Sequence, residues 1–479
     1  MAGNYKRSRI GLFGFTPEVT AGTQNLKFSA TGSAAKTQIL LTTSAVSGYD
    51  NANIAGITAD FFNGLEVYWI DGNNAGTIQT ITDTAFSSPT LTLTTSYKSA
   101  VAEAAATIPV SGEHFYVVGR LPASNVSFDV GIENLPREEF VRNTLDRPSS
   151  LRGLPVVSGS FDMEVCGREV GIDNTGGGVF SYDRFTQFYR GIGAINAPTQ
   201  GDTIAAVTST NQFTPSNPTR FALNQIVLIN SEVTRIVSID GANEWTVYPA
   251  LSTAPSVSDV IVGAECFVPY DTGHQTCTFS YLMDDELYLF KGCVYNMAVN
   301  GDYGTPLAST ISFTGTDYSV EITTTFNFNN SSKATVPFIS GKSVVNVYAS
   351  PATQIESYVG TFGFDYGSGI EIVRDSLNSQ SALITTREAT VGITARNTDS
   401  SAPWKSQTVG GEALGVLFFS MSYIGTTATN GVGVSGLVQP QDPSTISDRT
   451  GIQYFDNTFN FVDNATDVNN AHKPLFFRF

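Results

Sequence analysis

Polar and apolar residues alternate with a period of two along much of this chain, the mark of a sheet with one wet and one buried face. Over 158–166, Ser158, Ser160, Asp162 and Glu164 interleave with Gly159, Phe161, Met163 and Val165. Over 276–283, Thr276, Thr278 and Ser280 stand opposite Cys277, Phe279, Tyr281 and Met283. The turn at Asp284-Asp285 then sends 287–293 back as the second arm of a hairpin. One stretch changes period. Phe185, Phe188, Tyr189 and Ile192 fall at i, i+3, i+4 and i+7, which predicts a short helix with one apolar stripe. Ser181 or Asp183 can cap its start, and Gly191 or Gly193 can end it. The expected fold is all-β, with sheets whose apolar faces are covered by short helices.

The pattern repeats. Phe128-Asp129-Val130-Gly131 leads through a polar stretch to 140–145, and Phe364-Asp365-Tyr366-Gly367 leads to 372–377 in the same way. Each copy continues through a charged, turn-rich loop into a new alternating strand, over 158–166 and over 386–396. A second helix, opened by Pro403 and closed by Gly410-Gly411, is expected in the later copy. A different repeat interrupts the first copy. Residues 29–115 and 197–268 each read as a small β-barrel or sandwich inserted in an exposed loop. The expected division is a first domain from 1–28, 116–196 and 269–330, two inserted modules, a linker over 331–354, and a second domain over 355–479.

Composition supports this picture and narrows the chemistry. The 479 residues are 41% hydrophobic and only 14% charged, with 44 Gly, which suits short strands and tight turns in two to four domains. The net charge of −17 argues against a protein that grips nucleic acid through phosphates. Cys166, Cys266, Cys277 and Cys293 have no paired spacing and read as reduced core residues. No apolar segment follows MAGNYKRSRI, so no signal peptide is expected, and the apolar window 414–424 is too short for a membrane span.

Several of these residues carry a resemblance. The run 127–165, with 142–145 and 158–161 inside it, is similar to the tail tube (major tail) proteins of long-tailed, siphovirus-like bacteriophages. So is 276–292 followed by 307–315, with the Gly292-Cys293 turn and the closing Phe313-Thr314-Gly315. The Asp448-Arg449 turn before 451–461 resembles the end of the same domain. The resemblance covers most of the chain outside 317–358. It implies two tube-type half-barrel or sandwich domains, each with a short helix, plus the two inserts. It also implies a virion structural protein of the tail, assembled in the host cytoplasm, whose stacked rings form a hollow conduit for DNA ejection. Self-association would be the main partnership, as a trimeric ring with pseudo-sixfold symmetry or alternatively a hexamer. Tape measure, tail terminator and distal tail proteins would be further partners, with double-stranded DNA passing through.

Two groups of residues are singled out on that basis. Asp129, Asp162 and Glu164 in the first copy, and Asp365 and Glu388 in the second beside Thr361, Thr390 and Thr394, are expected to line the lumen. The mixed-charge segment 133–152, with Glu133, Arg137, Arg142, Arg147 and Arg152, is expected to touch an adjacent ring, together with Arg374 and Asp375. Catalysis is not expected. The three His (His114, His274, His472) lack metal-ligand spacing, Gly176-Gly177-Gly178 has no following Lys-Ser/Thr, and no GxSxG occurs. Neither a metal nor another cofactor is implied. Asp284, Asp285 and Glu286 read as a hairpin turn. Rival readings are a receptor- or glycan-binding tail fibre or adhesin, a polysaccharide-degrading enzyme, and another tail ring such as a terminator or distal tail protein. Only three Trp are available for a sugar platform.

Overall fold

The computed structural model describes residues 11–21, 24, 26–97, 103, 106–135, 151–165, 184–196, 201–230, 232–248, 250–270, 273–283, 286–302, 305–322, 342–348, 359–374, 380–396, 417–424, 431–441, 445–449, 451–462 and 473–478. The fold is all-β, as the alternation predicts. Two repeated units build its main sheet. Unit 1 contributes β1 (Gly11–Pro17), β2 (Ser124–Leu135), β3 (Leu151–Glu164), β4 (Cys277–Met283), β5 (Glu286–Asp302) and β6 (Ala308–Gly315). Unit 2 contributes β7 (Lys342–Tyr348), β8 (Val359–Asp365), β9 (Ser368–Arg374), β10 (Gln380–Arg387), β11 (Thr390–Arg396), β12 (Leu417–Ile424), β13 (Gly431–Pro440), β14 (Thr445–Arg449) and β15 (Ile452–Phe461).

The two units share one strand order. Unit 1 runs β1-β4-β5-β6-β3-β2 and unit 2 runs β7-β12-β13-β15-β11-β8, antiparallel throughout. Their registers agree as well. Phe128 faces Gly159, which faces Phe313; Phe364 faces Val391, which faces Phe459. The repeat read from Phe128-Asp129 and Phe364-Asp365 is therefore a repeat of sheet geometry. The units join without a break, because the second half of β5 pairs with β8 from Ala298↔Asp365 to Asp302↔Thr361.

The helix expected from the 3.6 periodicity is α1 (Arg184–Arg190). Phe185, Phe188 and Tyr189 are fully buried. Phe188 stacks on Tyr295 of β5 at 4.9 Å, and the Tyr295 hydroxyl donates to the Phe188 carbonyl. Gly191 and Ile192 end the helix by donating to the carbonyls of Phe188 and Tyr189. The second expected helix, near Pro403, lies outside the described residues. The turn-rich loop expected between 377 and 386 is instead largely the return strand of a hairpin arm, β10 paired with β9. The alternation of Ile370 and Ile372 with Glu371 and Val373 lets it extend. The strand expected over 386–396 breaks at residues 388–389, where Gly367 turns the arm away at φ 57°. β10 stays against unit 1, with the Gln380 amide donating to the carbonyls of Pro155 and Thr316.

The inserts are two barrels of one topology. The later one is a closed barrel of six strands: Asp202–Val207, Gln212–Pro215, Ile226–Ile229, Glu232–Ile239, Trp245–Tyr248 and Val260–Gly263. The earlier one uses Lys27–Ser29, Gln38–Thr42, Glu66–Trp69, Ile78–Ser87, Thr90–Tyr97 and His114–Leu121 in the same order, closed by a single bridge from Gly32 to Leu40. Both bulge at the same place, after Ile81 and after Ile236. Both enter the third strand through a left-handed residue, Gly64 at φ 84° and Asn224 at φ 71°. The later barrel has its own core around Phe213, Phe221 and Trp245, whereas the earlier one shares the host core.

Buried polar groups hold these parts together. Glu18, at the end of β1, accepts from Thr276 Oγ1 (2.8 Å), Thr278 Oγ1 (2.7 Å) and the Gly292 N–H (2.9 Å). Glu265, fully buried after the later barrel, meets Arg478 in the strand Leu475–Arg478, and Thr186 of α1 bonds to both. Cys266, Cys277 and Cys293 are free and buried, and burial pushes the Cys266 thiol up to about 12. The side chain of Cys166 lies outside the described residues.

This packing makes two claims on stability. Glu265→Ala strands the Arg478 guanidinium in the core and should cost about 3–5 kcal/mol, while the double change Glu265→Leu/Arg478→Met should recover most of it. Denaturant midpoints of the three proteins check this, and equal single and double losses would refute it. The second concerns Asp50, which accepts the N–H groups of Leu26 (3.0 Å) and Lys27 (2.8 Å). Burial outweighs these bonds and raises its carboxyl to about 6. The folded state then holds this proton more tightly than the unfolded chain. Stability from this group is fully present below the unfolded value of ~3.9 and is lost as pH rises through about 6. Unfolding at pH 4.5 and 7.5 should show wild type gaining on Asp50→Asn at the lower pH. A constant difference between the two would exclude Asp50 as the source.

Candidate functional site

The strongest candidate is the polar face of the sheet, with the two edges that bound it. Eight strands lie side by side in the order β2-β3-β6-β5-β8-β11-β15-β14. Every second residue of this ribbon points away from α1, because successive side chains alternate across a pleated sheet. The opposite face carries Phe161, Met163, Ile311, Phe313, Met297, Val299, Phe362, Phe364, Val391 and Ile393, all buried. Alternation in each strand thus becomes one wet face shared by both units.

Register places the polar residues in rows across the ribbon. One row is Asp162, Thr310, Ala298, Asp365, Thr390 and Asn460. The next is Glu164, Ala308, Asn300, Gly363, Gly392 and Thr458. Beyond it lie Asp302, Thr361, Thr394 and Asp456. Where Gly363 meets Gly392 there are no side chains, and a groove of about 740 Å³ opens, walled by Asn300, Asp302, Thr361, Thr394 and Asp456.

The carboxylates are held in place. Asp162 accepts from Asn125 Nδ2 (2.8 Å) and Thr310 Oγ1 (2.7 Å), and these bonds keep its carboxyl below the usual range. Asp365 accepts from Asn296 Nδ2 (2.8 Å) and the Gly367 N–H (2.8 Å). Asp456 accepts from Thr394 Oγ1 (2.5 Å), which in turn receives a bond from Thr361 Oγ1 (2.7 Å).

Of the residues expected to share a face, Asp129, Asp162, Glu164 and Asp365 do so by register. Asp129 and Glu164 are exposed. Glu388 is exposed too, but it sits at the bend between the ribbon and the β9–β10 arm. Two members of the face were missed, Asp302 and Asp456. Their signal was present: each falls in phase with its strand's alternation, after Ala298 and Asn300, and before Thr458 and Asn460. Of the residues expected at an adjacent ring, Arg374 is exposed at the end of β9. Glu133 and Arg152 have backbone places in β2 and β3, with side chains outside the described residues. Arg137, Arg142, Arg147 and Asp375 lie outside them altogether.

Among the described residues no group of three His, Cys, Asp or Glu could hold a metal ion, and no helix is long and apolar enough to cross a membrane. No protein-family model matches the chain, and no curated protein matches it in sequence.

Proposed function

We propose that this chain is a virion structural protein, the tail tube subunit of a long-tailed bacteriophage. Its copies close into rings, and the rings stack into a conduit for DNA. The observation that carries the reading is the eight-strand ribbon: one face buried in the core, one face wet and acidic, and both edges unpaired among the described residues. An enzyme needs a convergent site and a glycan binder an aromatic platform, whereas a ribbon of this kind needs only more of itself.

Geometry also favours three chains over six. Strands lie ~4.8 Å apart, so three ribbons of eight strands give a circumference of ~115 Å and a diameter of ~37 Å through the backbones, before strand tilt. Six chains would double this. With two units per chain, a trimer has pseudo-sixfold symmetry, because one joint repeats around the axis. The β9–β10 arm leaves the ribbon at the Gly367 bend and is suited to meeting an adjacent ring, where the exposed Arg374 would find a partner. The barrels then belong on the outside, on the far side of the sheet from the wet face.

An acidic wall would keep DNA moving. The duplex carries one phosphate charge per ~1.7 Å of axis, and like charge across a thin water layer discourages sticking. Electron microscopy of purified protein should show hollow tubes or stacked rings. Compact monomers at every concentration would end the reading. In assembled virions, Glu164→Lys with Asp302→Lys should leave tails intact and slow genome ejection. The defect should shrink with added salt, since the screening length falls from ~10 Å at 0.1 M to ~3 Å at 1 M. Ejection at the wild-type rate in low salt would remove these residues from the lumen.

A further inference from the structure

The joint between the two units is written twice in this chain, once paired and once not. Inside the chain, β5 offers Ala298, Val299 and Asn300 to Asp365, Phe364 and Gly363 of β8. The matching positions in the opposite pair of edges follow from register alone. Thr310 faces Ala298 in unit 1; Asp456 takes the place of Thr310 in unit 2 and faces Thr445. Thr445, Ile446 and Ser447 of β14 therefore stand where Ala298, Val299 and Asn300 stand. On the other side, Asp129, Phe128 and Ser127 of β2 stand where Asp365, Phe364 and Gly363 stand. Among the described residues, β14 pairs only with β15 and β2 only with β3.

We infer that β14 of one copy pairs antiparallel with β2 of a second copy, in the register Thr445↔Asp129, Ile446↔Phe128 and Ser447↔Ser127. This rests on the ring reading for the statement that copies meet, and adds which strands meet and how. The step that carries unit 1 onto unit 2, applied once more, brings a new unit 1 onto β14. Such a head-to-tail contact builds a ring when its rotation closes.

Two further observations fit a second copy. The internal joint is fastened by an amide and a carboxylate, Asn296 Nδ2 donating to Asp365 Oδ1 at 2.8 Å. Asn296 faces Ser312, whose counterpart Thr458 accepts the N–H of Gln441. Gln441 thus occupies the amide position and Asp129 the carboxylate position of the unpaired joint, and both are exposed. Along its own length the β2 edge lacks the usual guards. Exposed edges are usually blunted by Lys, Pro or shortness. β2 runs for 12 residues, SNVSFDVGIENL, with neither Lys nor Pro.

Cysteine pairing tests the register. Directly opposed residues of antiparallel strands have Cα atoms ~4.5–5.5 Å apart, inside the ~4.4–6.8 Å range of a disulfide. Ser127→Cys/Ser447→Cys, oxidised after assembly, should give a ladder of covalent multimers on a non-reducing gel. A mixture of the two single variants should give dimers, which keeps the test open should the double variant fold poorly. Ser127→Cys/Asp448→Cys is one residue out of register, with its thiols on opposite faces, and should stay uncrosslinked. A ladder from rings that never stack would uphold the joint and overturn the tube. Tubes that form without the in-register crosslink, or that crosslink only in the Asp448→Cys variant, would overturn the joint and leave the tube standing. A chain that stays monomeric would overturn both.

Discussion

Backbone N–H and C=O groups must find partners, and in a sheet the edge strands are where partners run out. That constraint orders the whole molecule. The two inserted barrels meet it by closing on themselves. The strand Leu475–Arg478 meets it by lying between β13 and Glu265–Pro269, so that this strand stitches unit 2 to the exit of the later barrel. β5 meets it by serving several neighbours in turn. Its first half pairs with β4 and Asp317–Ile322, its second half with β6 and β8. The eight-strand ribbon leaves both outer edges unpaired among the described residues, as do the far edges of β7, of Asp317–Ile322 and of the β9–β10 arm. Everything proposed about self-assembly grows from the ribbon's two edges, because they match the joint inside the chain by register.

Duplication operates at two levels, and the copies have diverged in instructive ways. The host units keep strand order and register while exchanging accessories. Among the described residues, unit 1 carries α1 and both barrels, and unit 2 carries the bent β9–β10 arm. The barrels keep their order, their bulge and their left-handed entry residue, yet they differ in independence. Trp245 and its neighbours give the later barrel a core of its own, while Ile226, Leu228, Val233 and Val262 on its outside pack with Leu475 and Phe477. Phe28, Trp69 and Phe115 of the earlier barrel belong to the same core as Phe13 and Phe279 of the host sheet. Contiguous packing of this kind makes the earlier barrel part of the host's folding unit, and the later one closer to a separate domain.

Much of this was legible in the sequence, and the reasons are physical. Period-two alternation showed which residues share a strand face. A local 3.6 period placed α1 because large apolar residues at Phe185, Phe188, Tyr189 and Ile192 admit few other arrangements. The barrels could be bounded approximately, since each carries its own alternation between turn residues. The pairing of β5 with β8 could not be read. Any alternating strand can lie beside any other, and partner choice is settled by packing between segments far apart along the chain. Asp302 and Asp456 were passed over for the same reason: each is in phase within its strand, but only pairing shows that both phases meet on one surface. Gly367 looked like one turn glycine among many. Its positive φ, which bends the arm away from the ribbon, depends on contacts made by β10 far along the chain.

The chemistry of the wet face bears directly on the proposed conduit. A wall meant to hold nucleic acid would present Lys and Arg, whose contacts release counterions and strengthen binding at each phosphate. The described side chains on this face are mainly Ser, Thr, Asn, Gly and Asp, with Glu164, two Ala and Tyr454 among them. Hydroxyls and amides bond water as readily as they bond a passing solute, so they give a moving duplex no reason to stop. The carboxylates supply a weak, steady repulsion, and the Asn and Thr donors around Asp162, Asp365 and Asp456 restrain them against reaching inward. At Asp162 the bonds from Asn125 and Thr310 hold the carboxyl below the usual range. Smoothness and charge thus come from one device, a polar side chain donating to a neighbouring carboxylate across the strands. The device can repeat around a ring only where the register between strands is maintained, and the joint between chains must keep it as faithfully as the joint within one.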